Sequence, residues 1–362
     1  MVAMGTRPEI IKMGPIIHAL QETAADFTII HTGQHYDYNM SRKMIEDLEL
    51  PSPNHTLRLA SSSPVNQMAE MMAKLAPIIA KERPRIVLVE GDTNTILAAG
   101  LAALKMGVKL GHVESGLRSR DWRMPEEHNR IMVDHVSDVL FAPTIDSERN
   151  LRAEHVHGTI FVTGNTVIDA ALQYMPLAEK RSKALEAVRY SRFILATAHR
   201  AENVDDPLVL KELVDAFMKA PFPVVFPAHP RTVKRLHQFG LYSRIRGSEN
   251  VQVTPPAGYL DLLLLMKRCE AILTDSGGLQ EEATAPSIRK PVVVFRKRTE
   301  RPEAVRAGFA RVAGVTSAGA LRTLDAMLRR KRLLPTRSPY GSGKSGQKIV
   351  NKTMLFLRAY GL

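Results

Sequence analysis

The feature that most constrains this chain is a unit that keeps returning: a short apolar run, a polar cluster, then a helix-length segment. Ile29–Thr32, Ile86–Val89, Lys109–Val113, Val139–Ala142 and Phe161–Thr163 read as strands. Phe193–Thr197, Pro223–Phe226, Val251–Val253, Ala271–Thr274 and Pro291–Phe295 continue the series. Most are near-continuous apolar runs bounded by Gly, Pro, Asp or Asn, the pattern of strands covered on both faces. Val65–Lys81, Thr93–Lys105, Pro207–Lys219 and Tyr259–Lys267 have helical length and lie between them. Such alternation implies parallel sheets in an α/β architecture, and two successive sets imply two doubly wound, Rossmann-like domains. The join is expected near Gly164–Asp169, ahead of a long polar helix around Ala178–Tyr190. Ligands of doubly wound sheets sit outside the carboxyl ends of the strands, so a site is expected in the cleft between the domains.

Length fits two domains: 362 residues, 44% of them hydrophobic. A single cysteine, Cys269, excludes an intrachain disulfide and fits a cytoplasmic setting. There is no signal-peptide pattern, and the longest apolar run, around Leu260–Met266, falls far short of the ~20 residues a membrane span needs. The net charge of +13 raises nucleic-acid binding as one reading and a pocket for an anionic substrate as the other. Arg329–Arg330–Lys331–Arg332 is the dense basic run, with no interleaved aromatics to stack bases, so neither nucleic acid nor membrane is expected as a partner. Ser338–Lys348 reads as a loop before a last helix at Ile349–Ala359, and its glycine spacing is not that of a phosphate-binding Walker loop.

The polar clusters fall at the ends of the apolar runs. Met4 leads into GTRPEIIK with Arg7 and Lys12, Val89 into GDTNT with Asp92, and Val113 into ESGLR with Glu114. Thr197 leads into AHRAEN with His199 and Arg200, Phe226 into PAHPR with His229, and Phe295 into RKRTERPE with Arg301. Any one of these is accounted for by turn and cap chemistry. Seven strand ends carrying His, Arg, Asp and Glu together, these six and the one at Thr274, are not.

DSGGLQEEA, after Thr274, is the most informative loop. Ser276, Gly277 and Gly278 let a phosphate approach the backbone at a helix start, where free N–H groups favour an anion. Glu282, about a turn further on, is placed to accept two ribose hydroxyls, or else is only a favourable charge near a helix start. Arg7, Arg130 and Arg301 add fixed positive charge for a diphosphate. Gly111–Arg130 packs acids, arginines and histidines into one segment with almost no apolar periodicity, which points to chemistry rather than core.

GTRPEIIK, TGQH, GDTNT, HVESGLR, PEEHNR, TGNTVID, HRAEN, DSGGLQEEA and TERPEAV, in this order from Gly5 to Val305, resemble the non-hydrolysing UDP-N-acetylglucosamine 2-epimerases, and archaeal members in particular. The resemblance implies two Rossmann-like domains in the GT-B arrangement, residues 1–166 and 167–345, with a terminal helix at 346–362 returning to the first. It implies a cytoplasmic homodimer without metal or redox cofactor, whose product, UDP-N-acetylmannosamine, feeds polysaccharide or glycoconjugate synthesis. Asp92, Glu114 and Glu126 match the family's proton-transfer carboxylates, and His199 a histidine that binds phosphate or assists departure. Arg7, Lys12, Arg130, Ser276, Gly277, Gly278, Glu282 and Arg301 match positions that hold UDP. Glu127 is expected to pair with a neighbouring base, and Trp122 to pack locally or line the cleft.

The reaction would invert a carbon whose proton is not acidic. Breaking the C1–O bond to UDP makes the C2 proton removable and yields 2-acetamidoglucal. Re-addition of UDP, with a proton delivered to the other face, gives the epimer. The chain also departs from the family pattern. Only Val2–Met4 precede Gly5, Ala201 stands for a frequent arginine, Lys297 and Arg298 replace a frequent Asp-Thr, and Leu262 stands where some relatives are aromatic. Asp37 stands where regulated bacterial members carry a second glutamine after the one matched by Gln34, so bacterial-type activation by a second substrate molecule is not expected. Other readings are an epimerase of a diacetamido or uronic-acid UDP-sugar, a hydrolysing epimerase, a GT-B glycosyltransferase, and a basic nucleotide- or nucleic-acid-binding protein.

Overall fold

The computed structural model describes residues 1–23, 25–33, 38–60, 63–329 and 333–361. Gln34 and Asp37, on which the expectation about activation rests, lie outside them, as do Arg330, Lys331 and Arg332 of the basic run. The chain forms two compact units, Met1–Ala170 with Tyr340–Leu362, and Ala171–Pro339.

In the first unit the strands are β1 (Val2–Met4), β2 (Ile29–His31), β3 (His55–Thr56), β4 (Ile86–Glu90), β5 (Lys109–Val113), β6 (Val139–Ala142) and β7 (Thr159–Val162). They form one sheet in the order β3-β2-β1-β4-β5-β6-β7, every pair parallel. The second unit contains β8 (Ile194–Thr197), β9 (Val224–Pro227), β10 (Val251–Thr254), β11 (Ala271–Thr274), β12 (Val292–Val294) and β13 (Ala310–Val312). Its parallel sheet runs β10-β9-β8-β11-β12-β13, the same doubly wound order. The direction of winding reverses between β1 and β4 in one sheet and between β8 and β11 in the other. A crevice at the carboxyl ends is expected at each of these points.

Central strands such as Ile86–Glu90 and Ala271–Thr274 are buried at every residue, which is why their sequences are continuous apolar runs. β3 and β13 escape that pattern. They are short edge strands with partly exposed residues, and nothing in their composition marks them as sheet. Helices end where local chemistry ends them. Asp206 caps Pro207–Met218 by accepting from the amides of Leu208 and Val209, and Thr316 caps Ser317–Leu328 through the Gly319 amide.

Two expectations are corrected. The long polar helix around Ala178–Tyr190 is absent. The helix runs instead over Thr166–Arg181, starting inside the GNTVID motif, and only a 3-10 turn follows at Ala184–Ala187. Polar composition misled here, because Thr166–Ala178 carries the buried apolar face. The last helix begins at Ser345, four residues earlier than expected, inside the glycine-rich segment. Gly346 lets this first turn pack closely on the helix Arg7–Glu22, because a Cβ there would come within 2.6 Å of the Pro15 carbonyl oxygen.

Candidate active site

In the first unit the polar side chains gather at the carboxyl ends of β1, β4 and β5. The turn after β1 is held by Glu9, whose buried carboxylate accepts from the amides of Gly5 at 2.5 Å and Thr6 at 3.1 Å and from the Thr93 hydroxyl at 2.6 Å. That last bond ties GTRPE to GDTNT across the β1–β4 reversal. Burial raises the Glu9 carboxyl above its ordinary value, against the pull of these hydrogen bonds.

Lys12, one turn along the same helix, points its ammonium at two acids. Its Nζ lies 2.8 and 2.7 Å from the two oxygens of Glu114 and 3.0 Å from Oε1 of Glu90. Both carboxylates are buried, Glu90 to 1% exposure and Glu114 to 8%. Glu114 also accepts from Asn165 Nδ2 at 2.8 Å. Its backbone is left-handed, φ 64°, a conformation that costs a non-glycine residue about 1 kcal/mol or more. Burial raises the Glu90 carboxyl well above the usual carboxylate range; Lys12 opposes this and Glu114 adds to it.

Asp92 and Arg130 form a second pair beside the first. Arg130 is buried between Asp92, an ion pair, and Glu127, whose Oε2 lies 2.7 Å from Nη1. Glu127 further accepts from the amides of Ser119 at 2.9 Å and Arg120 at 2.7 Å, so it is a fixed strut for this loop. Asn129 donates to the Asp92 carbonyl at 2.9 Å. Glu126, the neighbouring acid, lies in the exposed first turn of the helix Pro125–Val136 and is not gathered into this cluster. Trp122 is 63% exposed with its ring against His128. Arg7 starts the helix Arg7–Glu22 and is half-buried.

His112 was not singled out from the sequence. It is fully buried, donates from Nε2 to the Gly91 carbonyl at 2.8 Å, and meets Asp134 through Nδ1 at 2.7 Å. Asp134 also binds Arg118 at 2.8 Å and accepts from the Gly116 amide at 3.0 Å, so this group pins the loops after β4 and β5 to each other. Burial would raise the Asp134 carboxyl, but His112 and Arg118 outweigh it and lower it.

In the second unit the chemistry gathers at the β8–β11 reversal, where Thr197 and Thr274 sit in register with their hydroxyls 2.6 Å apart. Asp275 is buried and accepts from the amides of His199 at 3.1 Å and Arg200 at 2.9 Å and from Asn203 at 3.2 Å. His199 itself remains 45% exposed in its side chain, with Nδ1 3.3 Å from Asp275. Ser276 caps the short helix Gly277–Glu282. A Cβ on Gly277 would stand 3.8 Å from both Arg200 Nη2 and Arg301 Nη2, so two guanidinium groups flank the Ser276–Gly277–Gly278 turn.

Those guanidinium groups are held by matched acids. Arg301 Nε lies 2.7 Å from the fully buried Glu281, and Arg200 Nη2 lies 3.0 Å from Glu300, which also pairs with Arg296. Burial would raise the Glu300 carboxyl, yet the charges of Arg200, Arg301 and Arg296 bring it down to about 2. Gln280 donates to the Ser276 carbonyl at 3.0 Å and accepts from Thr299 at 2.6 Å, lacing DSGG to TERPE. Glu282 is buried beside Tyr259, whose phenol is pushed up by burial first and by the Glu282 charge second.

Glu90, His112 and Asn165 belong to this picture although the motifs did not single them out, and Arg200, named from the sequence only as a strand-end group, belongs to it as well. Glu90 had a signal, an acid ending an otherwise wholly apolar strand. Among the described residues no group of three His, Cys, Asp or Glu has metal-holding geometry, and no helix is long and apolar enough to cross a membrane.

The chain as a whole is similar to known proteins. A family model described as UDP-N-acetylglucosamine 2-epimerase matches residues 18–354. The chain is 42% identical to UDP-N-acetylglucosamine 2-epimerase of Methanocaldococcus jannaschii, over 96% of this chain and 97% of that one. It is 41% identical to UDP-2,3-diacetamido-2,3-dideoxy-D-glucuronate 2-epimerase of Pseudomonas aeruginosa, over 84% of this chain and 85% of that one. A crystal structure of the M. jannaschii enzyme in complex with UDP-GlcNAc and UDP superposes with a TM-score of 0.89, covering 98% of this chain and 99% of that one at 41% identity. With the two like-ordered parallel sheets and this near-complete coverage, the chain belongs to the UDP-N-acetylglucosamine 2-epimerase family.

Proposed function

We propose that this chain interconverts UDP-N-acetylglucosamine and UDP-N-acetylmannosamine without releasing free sugar. The observation that carries the reading is the Lys12–Glu114 pair together with Asp92–Arg130: a buried and a half-buried carboxylate, each oriented by a cation as proton transfer needs, at the reversal point of a doubly wound sheet. Similarity to the M. jannaschii enzyme over nearly the whole chain supports the substrate.

In this mechanism the C1–O bond to the β-phosphate breaks first, and its electron pair leaves with UDP. One carboxylate takes the C2 proton, giving 2-acetamidoglucal. UDP then adds back to C1 while an acid delivers a proton to the opposite face of C2. Asp92 and Glu114, which the fold brings into one cluster, are proton-transfer residues in this reading, and Glu126 would act with them from the exposed start of the helix Pro125–Val136. Arg130 holds Asp92 in place, and the left-handed backbone at Glu114 aims its carboxylate. Ser276, Gly277, Gly278, His199, Arg301 and Arg7 steady the departing diphosphate, Lys12 adds its positive charge from its place on Glu114, and Glu282 accepts hydrogen bonds from the ribose hydroxyls. The guanidinium of Arg301 is already held by Glu281, so it needs no reorganisation when charge appears on the leaving group. The reading includes a cytoplasmic homodimer, free of metal or redox cofactor, supplying polysaccharide synthesis; light scattering tests the dimer.

Incubation with UDP-N-acetylglucosamine in deuterated water, followed by proton NMR, tests the reaction. Epimer carrying deuterium at C2 is the expected product; free N-acetylmannosamine with UDP would instead mean hydrolysis. The P. aeruginosa relative favours a second reading, a UDP-2,3-diacetamido uronic acid as substrate. The same assay with that sugar, compared by kcat/KM, decides between them.

A further inference from the structure

Glu90 has no part in the mechanism above, yet it shares the cation that holds Glu114. Lys12 Nζ is bidentate to Glu114 at 2.8 and 2.7 Å and touches Glu90 Oε1 at 3.0 Å. With Glu90 1% exposed, water does little to screen it from its neighbours. Two ionised carboxylates around one ammonium would leave a buried negative charge, and the remedy available to such a group is to keep a proton.

We propose that Glu90 is a positioning residue: while it carries a proton, the Lys12 ammonium is committed to Glu114 and fixes that carboxylate for proton transfer, and when it ionises it competes for the same ammonium and loosens Glu114. The inference rests on Glu114 being a proton-transfer residue, as proposed above.

The groups that face Glu90 agree with this. From the helix Arg7–Glu22 come Lys12 and Glu9, and Glu9 adds further negative charge while its own oxygens accept from Gly5, Thr6 and Thr93. From the end of β5 comes Glu114. His112, on β5 beside β4, is committed to Gly91 and Asp134. His31 lies two strands away, by register on the same face as Met4 and Glu90, and is buried. Burial and Glu114 raise the Glu90 carboxyl and Lys12 lowers it, with the net direction upward. The charged residues of the last helix, Lys348, Lys352 and Arg358, are exposed.

The test is the pH profile of kcat/KM for Glu90→Gln, which keeps the shape of a protonated glutamate and cannot ionise. Wild-type kcat/KM falls above the pH at which Glu90 loses its proton. In the variant that inflection is gone, so the ratio of variant to wild type climbs by up to about tenfold per pH unit beyond it. A second readout needs no turnover: the infrared carbonyl band of a protonated carboxylic acid, present in the wild type at neutral pH, loses intensity in Glu90→Gln. Parallel profiles in an enzyme that turns over, or an unchanged carboxylic-acid band, would overturn the inference. A wild type that epimerises no UDP-sugar refutes the functional reading itself, and the positioning role falls with it.

Discussion

In the first unit Lys12 serves both Glu90 and Glu114; in the second, Glu300 alone is met by Arg200 and Arg296 and feels Arg301 as well. The two clusters stand at the same point of the same strand order, and burial acts on both in the same direction. The supply of cations decides the outcome. Where acids outnumber the ammonium they approach, protonation is favoured, as the proposed exchange of hydrogen would require. Where guanidinium groups surround Glu300, that acid stays ionised and the arginines stay put, as the proposed surface for an anionic leaving group would require. A shared frame thus carries opposite protonation chemistry.

The harshest way to break this comparison is to remove the proposed proton-transfer group from the first cluster and the fixed charge from the second. Glu114→Gln should lower kcat for epimerisation about a thousandfold while leaving KM nearly unchanged, read from initial rates. Arg301→Ala should remove the guanidinium that the buried Glu281 meets at 2.7 Å, lowering stability by about 3–5 kcal/mol in urea unfolding and weakening UDP binding by calorimetry. If instead Arg301→Ala spared stability and Glu114→Gln spared kcat, the contrast would be wrong at both ends.

Acid and alkaline titration sharpen it. The folded value of Glu300, about 2, lies below its unfolded value. Its contribution is therefore present above the unfolded value and is lost as pH falls through the folded one. From this shift it amounts to roughly 3 kcal/mol, and Glu300→Gln should flatten that part of the acid unfolding curve. Glu90 has the opposite sign. Its folded value is raised, so its contribution is complete below the unfolded value and fades as pH rises through the folded one. Glu90→Gln should gain stability relative to wild type at alkaline pH, the smallest of these effects, measurable as a pH-dependent difference in Tm.

The sequence revealed these regions unequally. Buried central strands announce themselves because both faces are covered, so β4 and β11 stand out as Ile86–Glu90 and Ala271–Thr274. Edge strands such as His55–Thr56 and Ala310–Val312 expose residues and read as loop. Polar turns at strand ends located both clusters, because a group at a carboxyl end is positioned by local chain geometry. Partnership is another matter. Lys12 meets Glu114 across 102 residues, and Arg200 meets Glu300 across 100, through strand register that no local pattern encodes. Glu126 and Glu127 show the limit most plainly: adjacent residues of one type, one exposed and one buried, separated only by the turn of the helix.

The backbone at Glu114 has a last consequence. A glycine there would relax the φ of 64° and release about 1 kcal/mol of torsional strain, but it would also break the ion pair with Lys12 and the hydrogen bond from Asn165, and breaking a buried pair costs about 3–5 kcal/mol. The strained turn is therefore locked in by the same contacts that hold its acid. A screen for heat resistance alone would leave residue 114 untouched, so a sturdier variant of this protein should still carry the acid.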